Sequence, residues 1–204
     1  VVTVYALKPR FQALLRPLVG RLARAGVTAN QVTLTAAVGS VTVGALVAAL
    51  ASLRPLFLLI SLWLPVRMAM NAIDGLLARE FGQQSRLGAY LNELGDMISD
   101  AGLYAPFALV APFRPGWIGA VIVLAIVGEA AGILGQTVGG SRRYDGPFGK
   151  SDRAVLFGFL GLWITVSRAL PGWLFWLQPL AVLLGVLTAG NRVRAGLAEA
   201  AGGR

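Results

Sequence analysis

Apolar runs of about twenty residues follow one another along this chain, and they limit its possible folds more than any other feature. A bilayer core of roughly 30 Å takes about twenty helical residues to cross. Inside it every backbone N–H and C=O must be satisfied within the protein, which favours helices here. The remainder of the composition agrees: 56% of the 204 residues are hydrophobic and 13% are charged, with a mean hydropathy of +0.71. The sequence therefore predicts an all-α integral membrane protein, a single domain over 1–204, with crossings at 31–52, 56–78, 87–111, 117–139, 153–169 and 173–191. Six crossings put both termini on one side.

Ahead of the first crossing, Leu7, Phe11, Leu14, Leu15, Leu18 and Leu22 recur every three or four residues with Lys8, Arg10, Arg16 and Arg21 between them. That pattern predicts an amphipathic helix over 1–26 lying in the membrane interface, not a signal peptide, whose apolar residues would form one unbroken run. Lys and Arg also crowd the loops on the same side as the termini. Arg79, Arg86, Arg142, Arg143, Lys150, Arg153, Arg192, Arg194 and Arg204 face only Arg54, Arg114 and Arg168 on the other side. By the positive-inside rule the termini are cytoplasmic, which predicts a multi-pass protein of the cytoplasmic (inner) membrane. Anionic headgroups explain the net charge of +9, and the chain has no module for nucleic acid. With no Cys and no His, thiolate metal sites, disulfides, Ser/His triads and imidazole bases are excluded. Chemistry here falls to carboxylates, Lys, Arg or a metal ion.

Loops are marked at Arg54-Pro55, Pro112 to Gly116, Gly139 to Gly149 and Pro171-Gly172, while Pro65 and Pro106 fall inside expected crossings as kinks. Gly128, Gly132, Gly135 and Gly139 form a small-residue stripe of the kind that packs membrane helices, and suggest a homodimer.

One stretch, NAIDGLLAREFGQQSRLGAYLNELGDMISD over 71–100, holds five of the nine acidic residues. Charges are costly in a bilayer, so acids gathered there point to a site. Asn71, Asp74 and Ala78 share a face at the end of the second crossing helix. Gly88, Asn92, Asp96 and Asp100 recur every four residues at the start of the third. These helices are consecutive and antiparallel, so the two stripes face across a polar cleft. Oxygen donors without histidine suit a hard cation such as Mg2+ or Mn2+.

These residues resemble the signature of the CDP-alcohol phosphotransferases, D-x2-D-G-x2-A-R-x8-G-x3-D-x3-D. The chain reads Asn71-x2-Asp74-Gly75-x2-Ala78-Arg79-x8-Gly88-x3-Asn92-x3-Asp96, with every spacing kept and asparagine at two of the four aspartates. It is similar to a bacterial branch of the family with that substitution. VTANQVTL at the first crossing and GPFGKSDRA before the fifth extend the resemblance.

The resemblance implies transfer of a phosphatidyl group from a CDP-linked lipid, CDP-diacylglycerol above all, to the hydroxyl of an alcohol, with release of CMP in phospholipid biosynthesis. It implies Asp96 as the catalytic base and Asn71, Asp74, Asn92 and Asp96 around one or two Mg2+ or Mn2+ ions. Asn30, Thr33, Gly75, Ala78, Arg79, Ser85 and Gly88 are implied at the CDP moiety. Lys150 and Arg153, with Arg142 and Arg143, form a basic cluster that either binds an anionic acceptor such as a phosphorylated polyol or holds lipid phosphates. An amide offers one neutral oxygen where a carboxylate offers two anionic ones, so Asn71 and Asn92 bridge two cations poorly. Asp100 either replaces a lost ligand or pairs with Arg67, which the antiparallel register brings opposite it. Glu129 is expected to contact the acceptor or link helices, and Arg192 to cap its helix or meet lipid. Hydrolysis of a CDP-lipid, binding without turnover, and small-solute transport are the alternative functions.

Overall fold

The structure is a computed structural model that describes residues 8–202. Residues 1–7 of the expected first helix, Leu7 among them, and Arg204 lie outside the described residues. Seven α-helices make up the described chain: α1 (Lys8–Arg24), α2 (Ala29–Ala49), α3 (Phe57–Glu80), α4 (Arg86–Tyr104), α5 (Pro115–Leu134), α6 (Lys150–Val166) and α7 (Leu177–Gly202). Four segments, Ala29–Ala49, Arg54–Glu80, Pro115–Val138 and Gly172–Gly202, are long and apolar enough to cross a bilayer. The other two long helices fall short for a chemical reason. α4 carries Arg86, Glu93, Asp96 and Asp100, and α6 is short and opens on Lys150, Asp152 and Arg153.

Boundaries differ from the sequence expectation where proline or a turn intervenes. The third crossing, expected to reach 111, ends as an α-helix at Tyr104 and continues as a 3-10 turn over Ala105–Leu109. Pro106 has no N–H to donate back into the α ladder, so it ends the helix instead of kinking it. Pro65 does lie inside α3. The fourth crossing, expected to reach 139, passes at Gly135 into a 3-10 turn that closes on the left-handed Gly139. The sixth starts as a 3-10 turn, Gly172–Trp176, and runs to Gly202 instead of ending at 191.

Helix α2 packs on both α3 and α4, α3 on α6, and α5 on α7. At the α2–α4 crossing a Cβ on Gly44 would stand 2.1 Å from the Gly102 carbonyl oxygen, so only glycine permits this approach. Phe57, Phe107, Tyr104 and Phe157 fill the middle of the bundle, with Tyr104 stacked on Phe157 at 3.9 Å. Helix α1 docks on α3 through Val19, Leu15 and Leu22, while Leu14 stays exposed. The glycine stripe of α5 is used within the chain. A Cβ on Gly132 would meet the Arg143 carbonyl at 2.5 Å, and one on Gly135 the Ser141 carbonyl at 2.8 Å. Gly132 and Gly135 thus seat the chain's own loop before α6.

Candidate functional site

Three helix ends converge at one end of the bundle: the start of α2, the end of α3 and the start of α4. Each is fixed locally. Thr28 and Gln31 form a reciprocal capping box at the start of α2, with Thr28 Oγ accepting from the Gln31 N–H at 3.2 Å and Gln31 Oε1 from the Thr28 N–H at 2.9 Å. Ser85 caps α4, its Oγ accepting from the Gly88 N–H at 2.9 Å. Gln83, in the α3–α4 loop, ties these ends together. Its Oε1 accepts from the Ala29 N–H at 2.7 Å, and its Nε2 donates to the Val27 carbonyl at 3.4 Å.

Between these ends lies the polar cleft. Asp74 is buried, and its Oδ2 accepts from the Thr33 hydroxyl at 2.8 Å. Across from it Asp96 is half-buried. Its Oδ1 accepts from Asn71 Nδ2 at 3.0 Å and from Arg67 Nη2 at 3.2 Å, and is also paired with Lys150 of α6. Among the described residues, Asp74 Oδ1 and Asp96 Oδ2 receive no side-chain donor. Arg79 folds back along α3 so that a Cβ on Gly75 would stand 3.0 Å from its Nη1, and Asn30 reaches so near Gly88 that a Cβ there would stand 2.7 Å from its Oδ1. Asn92 is half-buried on α4. Ala78 alone among the motif residues packs toward the apolar cluster shared with α1.

Behind the cleft is a second group of charges, and it is closed. Asp100 is buried with both oxygens engaged: Oδ1 by Arg67 Nη1 at 2.6 Å and Oδ2 by Arg153 Nη2 at 3.1 Å. The Arg67–Asp100 pair is the one that the antiparallel register anticipates. Arg153 is 2% exposed. It also donates to Glu129 Oε1 at 3.0 Å and to the Phe148 carbonyl at 3.2 Å. Glu129 links helices: Arg192 Nη1 stands 3.3 Å and Arg142 Nη2 3.6 Å from its Oε2. Arg192 neither caps a helix nor faces lipid. It is buried, donating to the Gly128 carbonyl at 2.7 Å and to the Asp145 carbonyl at 3.3 Å. Arg142 pairs with Glu93, so of the expected basic cluster only Lys150 points at the motif acids. Arg143 pairs instead with Asp145 at 2.8 Å and Glu199 at 2.9 Å. Its guanidinium holds the Asp145 carboxyl below the usual range.

The comparisons with known proteins agree with this geometry. A family model described as CDP-alcohol phosphatidyltransferase matches residues 26–187. The chain belongs to that family. Inner membrane protein YnbA of Escherichia coli (strain K12) is 46% identical over 195 residues, spanning 94% of this chain and 95% of that protein. The crystal structure of Mycobacterium tuberculosis phosphatidylinositol phosphate synthase in complex with manganese and citrate shares the fold. Its TM-score is 0.70 at 21% identity, over 89% of this chain and 88% of that one. As a CDP-alcohol phosphatidyltransferase, the chain is a membrane phosphotransferase of phospholipid synthesis that takes a CDP-alcohol lipid and an alcohol acceptor.

Hard-cation chemistry fits the cleft's donor set. Asp74 Oδ1 and Asp96 Oδ2 take no side-chain hydrogen bond among the described residues, and the Asn71 amide lies beside Asp96. No three carboxylates converge on one point among the described residues. Sequence reasoning placed the cleft residues but missed Gln83 and the burial of Arg192. GQQS between two helices looks like an ordinary turn, and nothing in the sequence shows that α5, α6 and α7 meet around Glu129.

Proposed function

We propose that the chain crosses the inner membrane six times, with both termini in the cytoplasm and α1 in the interface. In this reading it transfers the phosphatidyl group of CDP-diacylglycerol to an alcohol hydroxyl at the cytoplasmic face. The observation that supports this reading is that Asp74 and Asp96, on α3 and α4 where the signature residues meet, each have one carboxylate oxygen that takes no side-chain hydrogen bond among the described residues.

Each residue has a part that its surroundings suit. Thr33 holds the Asp74 carboxylate with one oxygen turned outward. Gly75 lets the Arg79 guanidinium, and Gly88 the Asn30 and Ser85 side chains, lie close against α3 and α4, where they meet the CDP moiety. Asp74, Asp96, Asn71 and Asn92 would hold a divalent cation, which would supply charge neutralisation and alignment for the diphosphate when bound. Asp96 Oδ2 takes the proton of the acceptor hydroxyl as that oxygen attacks the lipid-side phosphorus and CMP leaves. Its Oδ1, fixed by Asn71, Arg67 and Lys150, sets the carboxylate's direction. Lys150 faces the cleft, where it serves the phosphates or an anionic acceptor. Arg153 and Asp100 support it from behind.

Purified protein incubated with CDP-diacylglycerol and a panel of alcohols, with and without Mg2+ or Mn2+, tests the reading through CMP release. CMP that depends on one alcohol and on the ion supports transfer. CMP without any alcohol means hydrolysis, and none under any condition removes the transferase assignment.

A further inference from the structure

The four-aspartate signature implies two cations bridged by carboxylates, and this cleft departs from that arrangement in three ways. First, a bridging carboxylate needs both oxygens, yet Asp96 Oδ1 is already shared by Arg67, Asn71 and Lys150. A carboxylate oxygen has about two lone-pair directions, so three N–H donors leave that atom none for a metal. Second, Asn71 donates its amide to Asp96, which leaves one neutral oxygen where the signature has two anionic ones. Third, the local charges balance without a metal. Glu93, Asp96, Asp100 and Glu129 are ion-paired with Arg67, Arg142, Lys150, Arg153 and Arg192, and Asp74, held by the Thr33 hydroxyl and not by an ion pair, is the fifth acid beside them. Two divalent ions would add four positive charges to a neutral, half-desolvated cluster, and such an excess is costly away from bulk water.

Resting on the phosphatidyltransferase reading, we propose that the cleft takes a single divalent cation and that the Lys150 ammonium stands in for the second. The ion sits on Asp74 Oδ1 and Asp96 Oδ2. The ammonium sits on the opposite oxygen of Asp96, carried to the cleft by the first turn of α6. A lysine suits this place because its compact charge and rotatable donors serve a phosphate oxygen as a point charge. Loss of two carboxylates and of one divalent ion leaves the charge of the cleft unchanged, and the ammonium supplies the second cationic contact to the phosphates. The donor diphosphate then meets one mobile and one covalently held cation.

The test counts ions and does not depend on turnover. Equilibrium dialysis of the detergent-purified protein against saturating Mn2+, with CDP-diacylglycerol in the micelles and a protein-free control, gives bound Mn2+ per chain. The wild type is expected to saturate at one ion. Asn71→Asp/Asn92→Asp/Lys150→Met is expected to saturate at two and to show the spin-coupled electron paramagnetic resonance signal of neighbouring Mn2+ ions. Two ions in the wild type, or none, overturns the proposal whatever the variant does, and so does a folded triple variant that still holds one. A count of one with no CMP release leaves the ion stoichiometry standing and removes the transferase reading. CMP release with two bound ions does the reverse.

Discussion

Two groups of charges lie side by side in this bundle and are built for different ends. In the cleft, Asp74 and Asp96 each keep one oxygen free of side-chain hydrogen bonds, and Asp96 is half-buried. A turn deeper, Asp100 has both oxygens held by arginines, and Glu129 answers three more guanidinium contacts. Asp96 and Asp100 are one helical turn apart on α4, and Arg67 touches both. What separates a ligand-binding acid from a structural one here is satisfaction, not residue type. A carboxylate whose lone pairs are all met by fixed donors stabilises a fold, while one with an idle oxygen can take a proton or a cation.

The sharpest break in this comparison is Asp96→Asn, which removes the proposed base and keeps the shape. CMP release is expected to fall by about 10²–10⁴-fold with the melting temperature in detergent little changed. A similar change one turn deeper is expected to do the opposite. Arg153→Met leaves Asp100 and Glu129 short of a partner in a buried place, which costs about 3–5 kcal/mol and should show as a large fall in melting temperature or in folded yield. Thr33→Val is a smaller effect confined to the cleft. It deletes the hydrogen bond that orients Asp74, and a loss of about 1–2 kcal/mol of transition-state stabilisation predicts a roughly tenfold lower kcat/KM at near-normal stability. Arg16→Ala, which breaks the exposed pair with Glu80 at 3.1 Å, is expected to change stability by less than about 1 kcal/mol and activity not at all. A fall in stability for Asp96→Asn as large as that for Arg153→Met would erase the distinction between the two groups.

The cleft was legible in the sequence because its residues are local. Positions three and four apart share a helix face, and a short loop forces α3 and α4 to be antiparallel, so the spacing brings Asn71 to Asp96 and Arg67 to Asp100. The network around Glu129 was not legible, because α6, α7 and the loop before α6, all distant in sequence from α5, supply Arg153, Arg192 and Arg142, and no periodicity relates them. The basic loop residues accordingly read as one cluster, although the fold sends Arg143 to Glu199, buries Arg153 and leaves Lys150 in the cleft. Helix bounds erred for a related reason. Hydropathy follows the apolar run through Pro106 and stops at Asn191, whereas backbone hydrogen bonding ends α4 at Tyr104 and carries α7 on through a polar tail to Gly202.

Asp74 tests the central claim most directly, since its carboxylate has one oxygen held and one open and no part in the buried network. CMP release from CDP-diacylglycerol, per folded molecule, should be measured side by side for the wild type and Asp74→Asn at saturating Mg2+ or Mn2+. The cleft as the seat of phosphatidyl transfer predicts that the wild type releases CMP and that Asp74→Asn, with an unaltered melting temperature, releases almost none. Equal CMP release by the two proteins would contradict it.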